Sequence, residues 1–450
     1  MWLGNLEAAI GFHMSNQLHV VVGMGLTGFS CASYLYKRGT AIAIVDSRPK
    51  PPQLANFQQA FPDVSMHVGS LDCSLFDQAA CIVMSPGMSV KDPVIAKHAQ
   101  RGIPVIGDIE LFAQAVTAPV IAITGTNAKS TVTTLVGLMM QAAGFRAAVG
   151  GNLGVPVLDL LSESAEAYVL ELSSFQLETT YSLKPRVATV LNVTPDHMDR
   201  YATVTEYQQA KLRVYHDCQT AVCNRDDRLT EYANAPSSFH FTLQTPGERE
   251  FGLRESYLAF GDELLLAVRE LPVVGRHYQA NALAALALGF AFGLPFAPML
   301  DVLREFKGLP HRCQFIRERQ GVKWYNDSKG TNVGATQAAI EGLGREINGK
   351  LILIAGGVGK NADFHSLLPA IKQYSRHVVL IGEAATELAA VLDHQVPVSF
   401  ANTLSEAIEQ AAQTAQADDS VLLSPACASF DMFKNYEHRG EVFTELVEQL

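Results

Sequence analysis

The chain has few cysteines and none in a pair: Cys31, Cys73, Cys81, Cys218, Cys223, Cys313 and Cys427 are scattered through 450 residues with no C-x-x-C spacing. An odd, unpaired set argues against a disulfide framework or a zinc knuckle and fits a reducing compartment. No apolar run reaches the roughly 18 residues that a membrane span needs. Basic clusters are missing too. With 34 Lys and Arg against 45 Asp and Glu, the formal net charge is −11, which argues against nucleic acid or an anionic membrane as main partner. The first stretch, MWLGNLEAAIGFH, lacks the basic n-region of a secretory signal. It reads as a start-site extension, since Met14 stands just before the first strand. What remains is a chain 48 % hydrophobic, long enough for about three domains with proper cores.

The most informative stretch follows Val120. Val120 to Ile123 is apolar and β-branched, and reads as a buried strand. Gly125-Thr126-Asn127-Ala128-Lys129-Ser130 is a small-residue loop, and from Thr131 a helix is expected with Val132, Leu135, Val136 and Met139 on one face. Strand, tight loop, Lys-Ser and helix make a phosphate cradle. Loop and helix-terminal N–H groups can point at an anion, Lys129 adds a point charge, and Ser130 can put a hydroxyl on Mg²⁺. The generic P-loop pattern is incomplete, because Ile123 and Ala128 occupy its glycine positions. The plainer reading is a Ser/Thr-rich turn before an ordinary helix.

Upstream, the strand Leu18–Val22 runs into Gly23-Met24-Gly25-Leu26-Thr27-Gly28, a helix follows to about Arg38, and a second strand ends at Asp46. This G-x-G-x-x-G lies in a βαβ unit with an acidic residue at the second strand's end, so it reads as a nucleotide site. NAD is only one of its possible ligands, and a tight strand–helix turn is the alternative. Ser85-Pro86-Gly87 closes the strand Cys81–Met84, where ligands sit in such sheets; a plain turn explains it equally well.

Downstream of the cradle, Glu171 lies near the end of the apolar strand Ala167–Leu172, and His197 lies in the exit loop of the strand Val187–Leu191. Such positions suit metal ligands and substrate contacts, although each alone could be a solvated strand end or a satisfied loop histidine. Lys211, on the helix expected over Val204–Tyr215, says nothing by itself. Cys218–Gly261 is ambiguous, and Leu264–Pro272 reads as a strand. Gly275 opens an Ala/Leu-rich helix carrying Asn281. The apolar runs Leu351–Ala355, Val378–Ile381 and Val421–Ser424, separated by helical patterns, predict a further α/β domain with a mostly parallel sheet.

Together these pieces resemble the Mur ligases over nearly the whole chain. Thr124–Ser130 resembles the family's TGTNGK[ST] loop; LELSSFQLE from Leu170, NVTPDHMDRY from Asn192 and AKLRVY from Ala210 resemble its central motifs. LPHR from Leu309, NDSKGTN from Asn326, GKNADF from Gly359 and SPACASFDMFKNYEHRG from Ser424 are similar to the D-glutamate-adding branch. The resemblance implies an α/β protein of three domains: 1–107, Rossmann-like, for a UDP-substrate; 108–309, a central P-loop-type ATPase domain; and 310–450, Rossmann-like, for the amino acid. It implies an ATP-dependent ligase that activates UDP-N-acetylmuramoyl-L-alanine as an acyl phosphate and adds D-glutamate through a tetrahedral intermediate, in cytoplasmic peptidoglycan precursor synthesis, with cell shape and division depending on it.

Carried over motif by motif, the catalytic residues would be Lys129, Glu171, His197 and Lys211. ATP would meet Gly125, Thr126, Asn127, Ala128, Lys129, Ser130, Thr131, Asn281, Arg312 and Asp327. The UDP-substrate would meet Leu26, Thr27, Asp46, Arg48, Ser85, Gly87, Asn152 and His197, which makes a UDP-sugar, not NAD, the ligand of the glycine motif. Lys329, Thr331, Lys360, Ser429 and Phe430 would surround D-glutamate. Two Mg²⁺ ions would be held by Ser130, Glu171, His197 and Lys211, the last as a carbamate. A monomer with small-molecule substrates is expected, without nucleic acid or membrane insertion. Three residues depart from the pattern: Ala128 for Gly, Gly330 for Ala and Tyr436 for Phe. Competing readings are another Mur-type or folylpolyglutamate-type ligase, an NAD(P) oxidoreductase, and a non-catalytic homologue disabled by Ala128.

Overall fold

Alternating apolar strands and helices build three sheets in the computed structural model, which describes residues 17–273 and 275–450. The start-site extension before Met14 lies outside the described residues. Contacts divide the chain into two units, one holding described residues up to 122 with 146–186 and 210–219, the other holding 123–145, 187–209 and 220–450.

In the first unit, five strands lie in the order Ser65–Val68, Ile42–Asp46, His19–Val22, Cys81–Met84 and Val105–Gly107, all parallel. Their near-continuous apolar runs suit a sheet covered on both faces, and Val20, Val22, Val45, Ile82 and Met84 form one core cluster with Phe76 and Ile95. The chain leaves His19–Val22 to one side and Cys81–Met84 to the other, so the loops after these two strands flank a topological switch point, where ligands bind in open α/β sheets. Gly28 follows from this geometry: a Cβ there would lie 1.8 Å from the Gly23 carbonyl oxygen, so only glycine lets the helix Leu26–Lys37 start so close to the strand. The unit also holds the parallel pair Ala147–Gly151 and Ala167–Glu171.

The second unit resolves the ambiguous stretch. Thr220–Asn224, Ser237–Phe241, Glu250–Arg254, Tyr257–Phe260 and Glu263–Ala267 are consecutive strands extending from Val187–Val190. They pair parallel as far as Glu250–Arg254 and antiparallel beyond. The strand read over Leu264–Pro272 is therefore shorter, and ends in a 3₁₀ turn at Val268–Glu270. The expected helix Val204–Tyr215 is α-helical over Val204–Leu212 and 3₁₀ over Arg213–Tyr215.

The third sheet runs Gln314–Arg319, Val322–Asn326, Ser420–Leu423, Leu351–Gly356, Ser375–Ile381, Val398–Phe400. Only the first of its pairings is antiparallel. Core clusters cover both faces: Leu351, Leu353 and Leu422 pack with the helices Val333–Gly344 and Leu368–Tyr374, while Ile352, Ile354 and Leu423 pack with Leu404–Thr414 and Tyr436–Gln449.

Candidate active site

The phosphate loop joins the strand Val120–Thr124 to the helix Lys129–Ala142, which starts two residues earlier than the sequence suggests. The Lys129 ammonium folds back over the loop and donates to the carbonyl oxygens of Gly125 (2.9 Å) and Thr126 (3.0 Å). The exit loop at Asn192 clamps the other side. Asn127 N donates to Asn192 Oδ1 at 2.9 Å, Asn192 Nδ2 donates to the Asn127 carbonyl at 3.2 Å, and Thr126 Oγ1 exchanges hydrogen bonds with the Thr194 backbone. Ser130 and Thr131 lie in the helix's first turn, Ser130 Oγ accepting from Arg312 Nη2 at 2.8 Å. Ala128, the N-cap, has φ +69° and ψ −6°. This left-handed conformation is one that glycine adopts freely and alanine does not.

Asp196 is a hub that the sequence reading passed over. It accepts from His197 N at 2.9 Å and Asn332 Nδ2 at 3.1 Å, and pairs with Lys360 Nζ at 3.5 Å. Burial pushes its carboxyl up, but the nearby His197, Lys360 and Lys129 charges and the His197 N–H outweigh this and hold it below the usual range. Asn332 also donates to Asn127 Oδ1 at 3.0 Å. Asn127, Asn332, Asp196, His197 and Lys360 thus belong to one connected polar network, while Asn281 stands half-buried on the helix Arg276–Phe292.

The expected amino-acid residues sit on loops after the third sheet's strands. Lys329 Nζ lies 3.6 Å from the centre of the Tyr436 ring, a cation–π contact. Asp327 is buried, accepting from Ser424 Oγ at 2.7 Å and Cys313 N at 3.1 Å; desolvation pushes its pKa up to about 6 against those bonds. Gly330, which stands in place of the family's alanine, is tightly enclosed. A Cβ would lie 2.6 Å from Ser424 Oγ and 2.7 Å from Asp327 Oδ2, so glycine fits where alanine would displace them. Ser429 is buried and Phe430 is 74 % exposed; Thr331 N donates to the Lys329 carbonyl at 2.8 Å. Arg439, buried and likewise unassigned from sequence, ties two loops. Its Nε and Nη2 donate to Ser328 Oγ (3.0 Å) and O (2.9 Å), and Nη1 and Nη2 to the Cys427 carbonyl (3.3 Å). Burial lowers its pKa to about 10, so it stays charged.

In the first unit, Asp46 accepts from Met24 N (2.7 Å) and Arg48 N (2.9 Å), and from Arg48 Nε (2.9 Å) and Nη2 (2.6 Å) in a fork. Burial opposes its ionisation, yet the Arg48 and Met24 bonds hold its pKa below the ordinary value. The carboxylate thereby fixes the glycine loop, and Leu26, at the helix start, is 68 % exposed. Thr27 is half-buried beside it, Ser85 Oγ donates to the Gly23 carbonyl at 3.3 Å, and Gly87 is exposed.

Glu171 is buried at its strand's end. Its Oε1 accepts from Asn152 Nδ2 at 2.7 Å, while Oε2 has no hydrogen-bond partner among the described residues. A buried carboxylate with a free oxygen is costly alone and fits a cation. No group of three or more His, Cys, Asp or Glu residues poised for a metal occurs among the described residues. Lys211 is also buried. Asp108 carries a second unfilled carboxylate oxygen, Oδ1, and accepts at Oδ2 from Gln176 at 2.9 Å. Burial pushes its pKa up to about 6. Gln176 closes a capping box with Ser173, just after Glu171, so Asp108 steadies that turn. No motif marks Asp108; Asn332 closes the quoted NDSKGTN stretch, Arg439 lies in the quoted stretch from Ser424 and Asp196 in that from Asn192, signals that named no role.

Three family models match the chain in series: Mur ligase MurD-like, N-terminal domain, over residues 17–107; Mur ligase middle domain, over 123–289; and Mur ligase, glutamate ligase domain, over 311–427. UDP-N-acetylmuramoylalanine–D-glutamate ligase of Pseudomonas putida is 52 % identical over 437 residues, covering 96 % of this chain and 97 % of its own. The protein of that name from Coxiella burnetii is 49 % identical over 444 residues, covering 97 % and 100 %. Among solved structures, UDP-N-acetylmuramate-alanine ligase MurC from Thermotoga maritima has TM-score 0.60 at 18 % identity, covering 96 % of this chain and 99 % of its own. A pseudomurein peptide ligase type C from Methanothermus fervidus has TM-score 0.61 at 17 % identity, covering 96 % and 100 %. The two structures share the fold, and the family models with the half-identical relatives settle the membership: the chain belongs to the Mur ligase family.

Proposed function

We infer that the protein is an ATP-dependent ligase that joins D-glutamate to UDP-N-acetylmuramoyl-L-alanine in peptidoglycan precursor synthesis. The carrying observation is half-identity over nearly full length to ligases of that name. The substrate carboxylate attacks the γ-phosphorus, forming a C–O–P bond as ADP leaves. The D-glutamate amine then attacks the acyl carbon. The tetrahedral intermediate collapses with loss of the amine proton and departure of phosphate, leaving the amide. Both steps need charge neutralisation and two reactants held in line.

Lys129 and the N–H groups around Gly125–Thr131 hold the ATP phosphates, and Asn281, Arg312 and Asp327 hold the rest of the nucleotide. Mg²⁺ supplies charge neutralisation on the phosphate oxygens when bound. Ser130 and Glu171, through its free Oε2, would hold one ion; His197 and Lys211 would serve a second. As a carbamate, formed from the neutral amine and CO₂ with loss of a proton, Lys211 would turn from a cation into an anionic ligand. Leu26, Thr27, Asp46, Arg48, Ser85 and Gly87 take the UDP moiety, and Asn152 and His197 the muramoyl-alanine part. Lys329, Thr331, Lys360, Ser429 and Phe430 take D-glutamate, whose two carboxylates need cations and donors. The domains on this reading are 1–107, 108–309 and 310–450. A monomer working in the cytoplasm completes it; no helix among the described residues is long and apolar enough to cross a membrane.

The test is phosphate release from Mg-ATP and UDP-N-acetylmuramoyl-L-alanine with D-glutamate, L-glutamate or L-lysine. Release only with D-glutamate is expected. Release with another amino acid would move the protein to a different branch, and ATP binding without release would make it a non-catalytic homologue.

A further inference from the structure

We propose that Asn332 is a positioning residue that couples the phosphate loop to the D-glutamate site. The inference rests on the function proposed above and adds a residue to which that function assigns no role. Asn332 ends the loop carrying Lys329 and Thr331. It is buried, and its side chain is used on both sides. Oδ1 accepts from Ala335 N at 2.9 Å and so caps the helix Val333–Gly344. Nδ2 donates to Asn127 Oδ1 at 3.0 Å and to Asp196 Oδ2 at 3.1 Å. Asn127 Nδ2 returns a longer contact of 3.5 Å to Asn332 Oδ1.

Asn127 belongs to the phosphate loop, and its own N–H and C=O are fixed by Asn192. Asp196 carries the other half of the link, because its Oδ1 pairs with Lys360. One amide therefore holds a phosphate-loop side chain, while the carboxylate beside it holds a lysine assigned to D-glutamate. A shift of Asn127 around ATP phosphates would reach Lys329 and Thr331 through Asn332, and Lys360 through Asp196. Hydrogen bonds to a charged carboxylate are among the stronger ones in proteins.

The two functions of Asn332 can be separated. Aspartate and serine are both good helix N-caps, but aspartate cannot donate from Nδ2 and serine is too short to reach both partners. Asn332→Asp and Asn332→Ser keep the N-cap, so their melting temperatures should fall less than that of Asn332→Ala. They should raise the D-glutamate KM by about tenfold, the 1.4 kcal/mol equivalent, with the ATP and UDP-substrate KM values within about twofold of wild type, a margin of roughly 0.4 kcal/mol. Because only aspartate adds charge beside Asp196, agreement between the two variants excludes simple repulsion. Asn332→Ala should add a fall in melting temperature through the lost cap. An unchanged D-glutamate KM in both capped variants, or an equal rise for all three substrates, overturns the coupling. If the wild type releases no phosphate with D-glutamate, the underlying function fails instead, and the two failures are distinct.

Discussion

Replacing Ala128 with glycine tests the phosphate loop most directly, because the sign of the effect depends on its backbone. At φ +69° an L-residue costs about 1–2 kcal/mol that glycine avoids. Glycine returns about 0.4–1 kcal/mol of that through the extra freedom of its unfolded chain. Ala128→Gly should therefore leave stability unchanged or raise it by up to about 1.5 kcal/mol. At an ordinary helical position the same change would cost about 1 kcal/mol. Urea unfolding followed by circular dichroism reads the sign, and phosphate release over a range of ATP concentrations reads the functional side. The Lys129 and Asn192 bonds that shape the loop involve backbone and side chains other than that of residue 128, so ATP KM should stay level or fall. A loss near 1 kcal/mol would falsify the left-handed assignment, and with it the explanation of why the family's pattern places glycine there.

Glu171→Gln should raise the Mg²⁺ concentration for half-maximal phosphate release by at least about tenfold, the weight of one charged ligand, with the fold intact by circular dichroism because the amide oxygen can still accept from Asn152. Asp108 predicts a pH effect. Its folded pKa, near 6, lies above its unfolded value of about 3.9, so the folded state binds the proton more tightly. The stabilisation is full below pH 4 and is lost as pH rises through 6, by roughly 3 kcal/mol for a shift of about two units. Asp108→Asn should flatten the decline in urea midpoint between pH 4 and 7 without altering the profile elsewhere; an unchanged slope would remove Asp108 as its source. Asp46→Asn should raise the UDP-substrate KM by about tenfold, since it weakens the charged fork to Arg48, while the ATP KM stays constant; a parallel change in both would assign Asp46 to general stability.

Much of this architecture is written in short-range pattern. Cys81–Met84 occupies the strand that its apolar run predicts, and Asp46 and Glu171 end strands as expected. The phosphate loop is legible because strand, small residues, lysine and helix follow one another directly. Cys218–Gly261 was opaque because its strands Ser237–Phe241 and Glu250–Arg254 are partly buried and lack strong alternation. The supporting residues were hidden for another reason. Asn332 meets partners 205 and 136 positions away, Asp108 meets Gln176 at 68, and Arg439 meets Ser328 at 111. Nothing local in a sequence encodes such pairings. The left-handed state of Ala128 was open for a similar reason, since a loop's backbone angle is set by its clamps at Asn192 and Thr194.

Arg439 gives the loops proposed to take D-glutamate a modular character. One guanidinium grips Ser328 and Cys427 together, so the segments bearing Lys329 and Ser429 form a cassette with the helix Tyr436–Gln449 as its spine. Amino-acid preference would then resist exchange of either loop alone. A chimera that transplants one loop would leave a buried charge facing a foreign carbonyl, whereas a graft of both loops with their helix would carry its own fastening.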